Sequence, residues 1–498
     1  MSAQGELSTL EASGLIEIAA IQPELEYLFR HALVQDAAYA TLLKQDRRVL
    51  HRAAAEAILT LHPNRARELA PEIGMHFEQA GETARAAEQF LIAGEHAMER
   101  FAGREAVAFF TRAGDLADES QVQLRLRAAI GGAQAGWGYS EQAAFIERLD
   151  NAVTAADGAD PRVLAQAYAW SAFLRRGRGE VPETSPQLKQ ALERASALAE
   201  TLDDDGGSAL PRALMGAFTA MTGKLREGAQ HMSDALKFLE GKADPVSTAM
   251  ISDFLAMTYA RLGDFAAAEK TIADSERLAG TGDEISRVDV DITKSTLELE
   301  RGDVEAARAQ AQRCAARAED LGAFACVVAS NVTFGAAALA QRLAPAAKPA
   351  LERGDEICRV NTNMAPMQTL TRALLGMARA DTGDLQGGIA EWNEALAAAR
   401  RMDDRYGEAQ TLWARARAQT RGTDVDWGAA LADIDGALTL FEAMEAKPSL
   451  ARALRDRSRA LRAIGRVEEA DAAEVRALEM GRMLGLRDAP FSRPPSAV

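Results

Sequence analysis

Cysteine is nearly missing from this chain of 498 residues. Cys314, Cys326 and Cys358 are too few and too widely spaced for a disulfide framework or a CxxC metal site. They fit a reducing compartment, and the expected location is cytoplasmic. Aromatic residues are also scarce, at 5%, while alanine dominates the 48% of apolar residues. Small side chains let helices approach closely, so the composition predicts an all-α protein rather than a β-sandwich or an α/β fold. Positive charge is in short supply: 57 − 73 gives a net charge of −16. Such an acidic balance speaks against a general binder of nucleic acid or anionic membrane, because phosphate contacts need a basic face. The N-terminus has no early positive charge and no continuous apolar core, so no signal peptide is expected. The uncharged stretch from Gly322 to Gln341 contains Ser330, Asn331 and Thr333, and reads as a buried helix rather than a membrane span.

Catalytic signatures are missing as well. There is no G-x-x-x-x-G-K-[ST] loop; Gly223-Lys224 and Gly241-Lys242 are followed by Leu and Ala. No G-x-S-x-G elbow occurs, and the six histidines, His31, His51, His62, His76, His96 and His231, form no H-x-x-x-H pair. Asp203-Asp204-Asp205-Gly206-Gly207 lacks the alternating ligands of a calcium loop and reads as a solvated linker. No enzyme activity, catalytic residue, metal or cofactor is expected.

What the sequence does contain is a repeat. RLGDFAAAEKTIADSERLA from Arg261, ERGDVEAARAQAQRCAARA from Glu300 and DTGDLQGGIAEWNEALAAA from Asp381 share one pattern, with a Gly-Asp turn between two helices. The turn glycines Gly223, Gly263, Gly302, Gly383, Gly422 and Gly465 are separated by 40, 39, 81, 39 and 43 residues. The gap of 81 is two periods of about 40, and the unit around Arg342 has no turn glycine. Five positions after the turn glycines, including Gly81 and Gly138, stand Ala86, Ala143, Gly228, Ala268, Ala307, Gly388 and Ala470, all small. Twelve positions after stand Ala93, Asp150, Ala235, Ser275, Cys314, Ala395 and Ala477, where only Asp150 departs. Two small positions seven apart share one helix face, against which a neighbouring helix packs closely. Trp392 falls at a core position of the pattern, and Trp137, Trp170, Trp413 and Trp427 are scattered through the repeats.

This pattern resembles the tetratricopeptide repeat, with Tyr259, Gly263, Ala268 and Ser275 at that family's aromatic, turn and small positions. The resemblance implies a TPR-like α-solenoid with a concave binding surface, its helices about one turn longer than usual. Residues 61–120 would form the first helical repeats, 121–485 the solenoid, and 486–498, with Pro490, Pro494 and Pro495, a flexible tail.

The first sixty residues differ. Gly14-Leu15-Ile16-Glu17-Ile18, the turn signal Gln22-Pro23 and the run Leu25–Phe29 predict a β-hairpin between two helices, so 1–60 reads as a winged-helix-like junction. Tyr27-x-Phe29-Arg30-His31-x-Leu33, Tyr39, Leu42-Leu43, Arg47-Arg48 and Leu50-His51 resemble a segment of large bacterial ATPase regulators of the STAND type. In those proteins an NTP-hydrolysing domain leads into a winged helix and then TPR-like repeats, and some carry an adenylate or guanylate cyclase domain. The resemblance implies a sensor half, or a stand-alone descendant, with an NTPase or cyclase domain as partner in cis or in trans. Five basic and eight acidic residues within 1–60 make this junction a structural joint rather than a DNA reader.

One charged constellation stands out. Arg452, Arg455, Arg459, Arg462 and Arg466 are spaced 3, 4, 3 and 4, which puts them on one helix face opposite Leu450, Leu454, Leu461 and Ile464. Five guanidiniums in a row suit an acidic peptide or a phosphorylated ligand. The plainer reading is a solvated end-cap whose charges pair with neighbouring Asp and Glu. The expected function is a protein-interaction scaffold that senses a peptide, protein or effector in its groove. The alternatives are the regulatory part of an ATP-dependent regulator or class III cyclase, and a transcriptional regulator.

Overall fold

The computed structural model describes residues 3–20, 25–100, 102–137, 142–202, 208–239, 245–280, 284–361, 364–421, 425–488 and 491. Over these residues the chain is an all-α solenoid of 24 helices with a single two-stranded sheet. The N-terminal part runs α1 (Ala3–Ala12), β1 (Ile16–Ala20), β2 (Glu26–Phe29), α2 (Ala32–Thr41), α3 (Lys44–Leu61) and α4 (Ala70–Ala80). The two strands form the expected hairpin, antiparallel with Ile16 opposite Phe29; Gln22-Pro23 lies outside the described residues.

The repeats continue through α5 (Thr83–Glu99), α6 (Gly103–Leu116), α7 (Val122–Ala135), α8 (Gln142–Thr154), α9 (Pro161–Gly177), α10 (Pro186–Thr201) and α11 (Ala209–Met221). Then follow α12 (Leu225–Leu239), α13 (Pro245–Leu262), α14 (Phe265–Ala279), α15 (Glu284–Arg301), α16 (Val304–Leu321), α17 (Phe324–Ala340) and α18 (Ala344–Val360). The array ends with α19 (Ala365–Asp381), α20 (Leu385–Arg401), α21 (Arg405–Gln419), α22 (Trp427–Met444), α23 (Lys447–Ala463) and α24 (Val467–Leu484).

The Gly-Asp turn has a simple physical basis. Gly263, Gly302 and Gly383 adopt φ of +80°, +96° and +97°, the left-handed geometry that closes a helix and favours glycine. Asp264, Asp303 and Asp384 then cap the next helix by accepting from the amides of Ala267, Ala306 and Gly387. In the unit without a turn glycine, Arg342 itself takes φ +62°. Gly138 and Gly422 lie outside the described residues.

The small positions are where the helices touch. Ala86, Ala268, Ala307 and Ala470 are fully buried, as are Ser275, Ala395 and Ala477. At Gly228 and Gly388 even a methyl group is excluded, because a Cβ would lie 2.6 Å from the Ala220 amide nitrogen and 2.7 Å from the Gly376 carbonyl. The exception, Asp150, is half-buried and receives the Arg175 guanidinium.

From α5 onward the odd-numbered helices form an inner layer. Each from α5 to α19 packs on the next odd-numbered helix, whereas even-numbered helices pack chiefly on their sequence neighbours. Inner helices therefore bury more than one face, which explains the uncharged sequence of α17. Among the described residues no helix is long and apolar enough to cross a membrane.

The superhelix completes a turn and closes on itself. Helix α23 packs on α13 and α15, and one apolar core joins residues 126–297 to residues 396–491. Polar contacts line the seam. Arg176, 1% exposed, donates to the Met402 carbonyl, and Arg226 grips Glu445 at 2.8 and 2.6 Å. Arg104 reaches the Leu321 carbonyl, and the Arg487 amide donates to the Arg301 carbonyl at 2.8 Å.

Of the segment 486–498, Leu486 and Phe491 are buried and Asp488 accepts from Arg452 at 2.9 Å, so these residues do not fray; Pro490, Pro494 and Pro495 lie outside the described residues. Phe491 lies against Gly481 of α24 and under Arg455 of α23, while Arg487 and Asp488 reach Arg301 and Gly302 at the end of α15.

Candidate functional site

The closed turn encloses a cavity of about 840 Å³. Its walls are the inner helices α13, α15, α17, α19, α21 and α23 with the segment after α24. Each short turn reverses the chain, so these helices run parallel and present side chains to a common channel. Phe254 and Met257 of α13, Val332 of α17, and Leu370, Leu374 and Met377 of α19 supply its apolar lining.

A polar knot lies at the seam. Glu300 accepts from the Tyr406 hydroxyl at 3.2 Å, and Arg452 donates to the Glu300 carbonyl oxygen at 2.9 Å. Arg261 lies over the Tyr406 ring, 4.3 Å from its centroid. Burial pushes the Glu300 carboxyl above its usual range, although Arg452 and Arg261 pull it down.

Further along the channel stand more charged groups. On α13, Asp253 is buried and accepts from the Ser275 hydroxyl at 3.1 Å. Burial first, and then the neighbouring Asp289 of α15, raises its carboxyl well above the usual range. On α23, Asp456 accepts from Trp413 Nε1 at 2.8 Å and lies 3.8 Å from Arg417, and Arg459 donates to it as well. Burial lowers the affinity of Arg417 for its proton, and the like charges of Arg421, Arg459 and Arg452 work in the same direction.

The arginine stripe divides in two. Arg452, Arg455 and Arg459 line the cavity. Arg462 and Arg466 are not among the lining residues and pair with Asp471 at 2.7 Å and Glu469 at 2.6 Å. Helix α23 stops at Ala463, so Arg466 caps α24 and does not continue the face. Leu450, Leu454 and Leu461 are buried as expected, whereas Ile464 is 42% exposed at the turn. Each of the five has an acidic neighbour, as in the end-cap reading, with Glu474 3.5 Å from Arg455 and Asp488 2.9 Å from Arg452.

Asp253, Asp289 and Arg417 escaped the sequence reading, and Trp413 was noted there only as one of the scattered tryptophans. Asp253 had a usable signal, since it is the only charged residue between Pro245 and Ala260. A lone charge in an apolar helix seldom sits in a core without a task.

Other singled-out residues have structural surroundings. Trp392 is fully buried and donates from Nε1 to the Ala373 carbonyl at 3.0 Å. His31 occupies the N-cap of α2 without a side-chain cap bond. His51 bridges Tyr39 at 2.9 Å and His76 at 2.8 Å, and burial lowers the His76 pKa. The three cysteines are free and buried, with burial pushing Cys314 up to about 11 and Cys358 to about 12. Residues 203–207 lie outside the described residues.

No family model matches the chain, and no curated protein matches it in sequence. Among solved structures it is similar to a Rap protein complexed with competence and sporulation factor, at 12% identity and a TM-score of 0.53. That match covers 80% of this chain and 98% of the other. Weaker matches are a Rap conjugation gene regulator of plasmid pLS20 in complex with the Phr* peptide and the APC/C hetero-tetramer Cut9-Hcn1. The first has 10% identity, a TM-score of 0.47 and coverages of 73% and 95%. The second has 14% identity, a TM-score of 0.46 and coverages of 93% and 91%. The likeness to the first Rap protein speaks for the fold, a TPR-like helical-repeat solenoid.

Proposed function

We propose that this chain is a non-catalytic scaffold, the sensor module of a bacterial signalling regulator, which holds a peptide, protein or effector in the channel of its superhelix. The observation that carries this reading is the cavity of about 840 Å³ enclosed where α21 to α24 return to α13 and α15. Its size falls within the range of ligand sites, and its lining combines apolar side chains for affinity with charged groups that can orient a ligand. A Rap protein of the same fold was crystallised with competence and sporulation factor, which supports a regulatory ligand for such a solenoid. Buried, proton-holding thiols suit a cytoplasmic setting. The test is a plug. Ala336 lines the channel, and Ala336→Trp narrows it. A random hexapeptide pool passed over the immobilised protein should be retained, and the variant should retain at least tenfold less at an unchanged thermal midpoint. Equal retention by both removes the reading.

A second reading has its own support. The N-terminal segment exposes a run of large apolar side chains, among them Leu28, Leu33, Leu43 and Leu61, the last three each more than 70% exposed. A face of this kind suits contact with another folded domain, in keeping with the sensor part of an ATP-dependent regulator or a class III cyclase, in cis or in trans. The acidic balance of 1–60 weighs against the transcriptional alternative. An immunoblot of the endogenous protein with an antibody to the repeats tests the cis form. A band well above the mass of 498 residues supports it, and a band at that mass removes it.

A further inference from the structure

A side cavity of about 60 Å³ lies beside the channel, among α5, α7, α9, α13 and α15. Trp137, Met250, Asp253, Ile285 and Asp289 line both spaces, so the two abut. The side cavity also has polar groups in Gln134, Ser247 and Ser286, and one of a different kind in Trp170 of α9. Trp170 is fully buried, and its indole N–H meets no acceptor among the described residues. A buried donor without an acceptor costs stability, and nearly every such group in a folded protein is satisfied. Trp392, equally buried, shows the ordinary case, with its N–H bonded to the Ala373 carbonyl at 3.0 Å. The Trp170 N–H calls for an acceptor supplied from outside the chain.

Size and chemistry limit what can enter. The volume is room for a few waters or one compact polar group, not for a stretch of backbone. Among the described residues that line it there is no lysine, arginine or histidine, so a carboxylate or phosphate would be buried there without a cation. An ammonium or guanidinium brings only donors and would leave the Trp170 N–H unmet. A primary carboxamide brings a donor and an acceptor on one carbon. Its oxygen can accept from Trp170, and its NH2 can donate to Asp253, whose carboxyl has capacity beyond the hydroxyls of Ser275 and Thr293 that it already receives. A carboxyl accepts such a bond with or without its own proton, so the tight hold of Asp253 on its proton does not alter the match. The apolar Trp137, Met250 and Ile285, which line both spaces, suit the methylene stem of an Asn or Gln side chain.

We propose that the ligand of the channel is a peptide anchored by an Asn or Gln side chain, whose carboxamide enters the side cavity and bonds to Trp170 and Asp253. This deepens the peptide-binding reading and rests on it. A site built to hydrogen-bond one group rejects analogues that lack it, because its own buried groups are then left unpaired. The rest of the peptide lies in the channel, where Met221, Met232, Met257, Met367 and Met377 form part of the lining. Methionine adapts to varied side chains, so selectivity is concentrated at the anchor.

The experiment uses random hexapeptides with acetylated N-termini and free carboxyl ends, so that primary carboxamides come only from Asn and Gln. The full chain, Trp170→Phe and Ala249→Leu are immobilised in parallel, and retained peptides are quantified and sequenced by mass spectrometry. Trp170→Phe keeps a ring in the core and removes the N–H, whereas Ala249→Leu adds carbon to the lining of the side cavity and leaves the indole in place. Thermal midpoints check both, and if one fails to fold the other decides. Peptides held by the unmodified chain should be enriched at least threefold in Asn and Gln over the input. Each folded variant should hold at least threefold less of the Asn and Gln peptides and as much of the others as before. Peptides held without that enrichment, or enriched instead in charged residues, overturn the anchor by themselves and leave peptide binding standing. So does an enrichment that survives in a folded variant, or a variant that loses all peptides equally; the side cavity then holds water only. Retention of no peptide by the unmodified chain removes the peptide reading and the proposal together.

Discussion

Replacing Arg452 by methionine should open the seam, and the pH dependence of the loss tests the reason. Arg452 is paired with a buried carboxylate. Its guanidinium lies 3.8 Å from the carboxylate of Glu300, whose side chain is 11% exposed, and also donates to Asp488. Removing one member of a buried pair costs about 3–5 kcal/mol, because the other charge is left desolvated. Arg261 still acts on Glu300, so the lower end applies, about 3 kcal/mol at pH 7.5. Burial already holds the Glu300 carboxyl above its ordinary 4.5, and losing Arg452 raises it further. With a raised pKa the native state binds the proton more tightly than the unfolded chain. Stability from this group is then complete below the ordinary value and declines as pH rises through the folded one. The variant should therefore lose most at pH 7.5 and least near pH 4.5. Urea unfolding followed by circular dichroism at the two pH values measures this. Glu300→Gln keeps an acceptor for Tyr406 and removes the stranded charge, so the double variant should recover part of the loss. An equal cost at both pH values, or no recovery in the double variant, would refute the argument.

Three further outcomes follow from the packing. Trp392 is fully buried with its indole N–H bonded to Ala373, so Trp392→Ala should cost about 3–5 kcal/mol in urea unfolding; a cost below 1 would contradict its place in the core. Arg342 is exposed and held at φ +62°, so Arg342→Gly should stabilise by about 1 kcal/mol, and a destabilised variant would show that the turn needs the side chain. Native Cys314, Cys326 and Cys358 should resist a disulfide reagent at pH 8 and react at once in urea; rapid labelling of the native chain would place a thiol at the surface.

The repeat was readable because its cause is local. A helix packed against its neighbour tolerates only a small side chain at the point of contact, and that demand recurs every forty or so residues at positions such as Ala268 and Ala307. The Gly-Asp pair was readable for the same reason, as the end of one helix and the cap of the next. The seam was not. Arg176 and Met402 meet across 226 residues, and what joins them is the radius of the superhelix, a sum of many small rotations written nowhere in particular. The channel inherits that opacity. The arginine spacing marked Arg452, Arg455 and Arg459 on one helix, but Asp253 and Asp289 sit in other repeats, and only closure brings all of them to one cavity. Helix length was also misjudged at Arg466, where Gly465 at φ +82° ends the turn before the stripe is complete.

The seam also bears on how the chain folds. In an open array each repeat needs only its neighbours, and folding spreads from wherever it begins. Here contacts such as Arg176 to Met402 span hundreds of residues, yet joining ends across a long loop costs only about 0.6 kcal/mol for each doubling of its length. The repeats can therefore form first, by local steps, and the joining of the two turns comes last, as a slow and separate event governed by non-local contacts. A chain cut after α20 would keep its stacked hairpins and their helical signal. It would have no interior, because the space inside exists only once the late event has occurred.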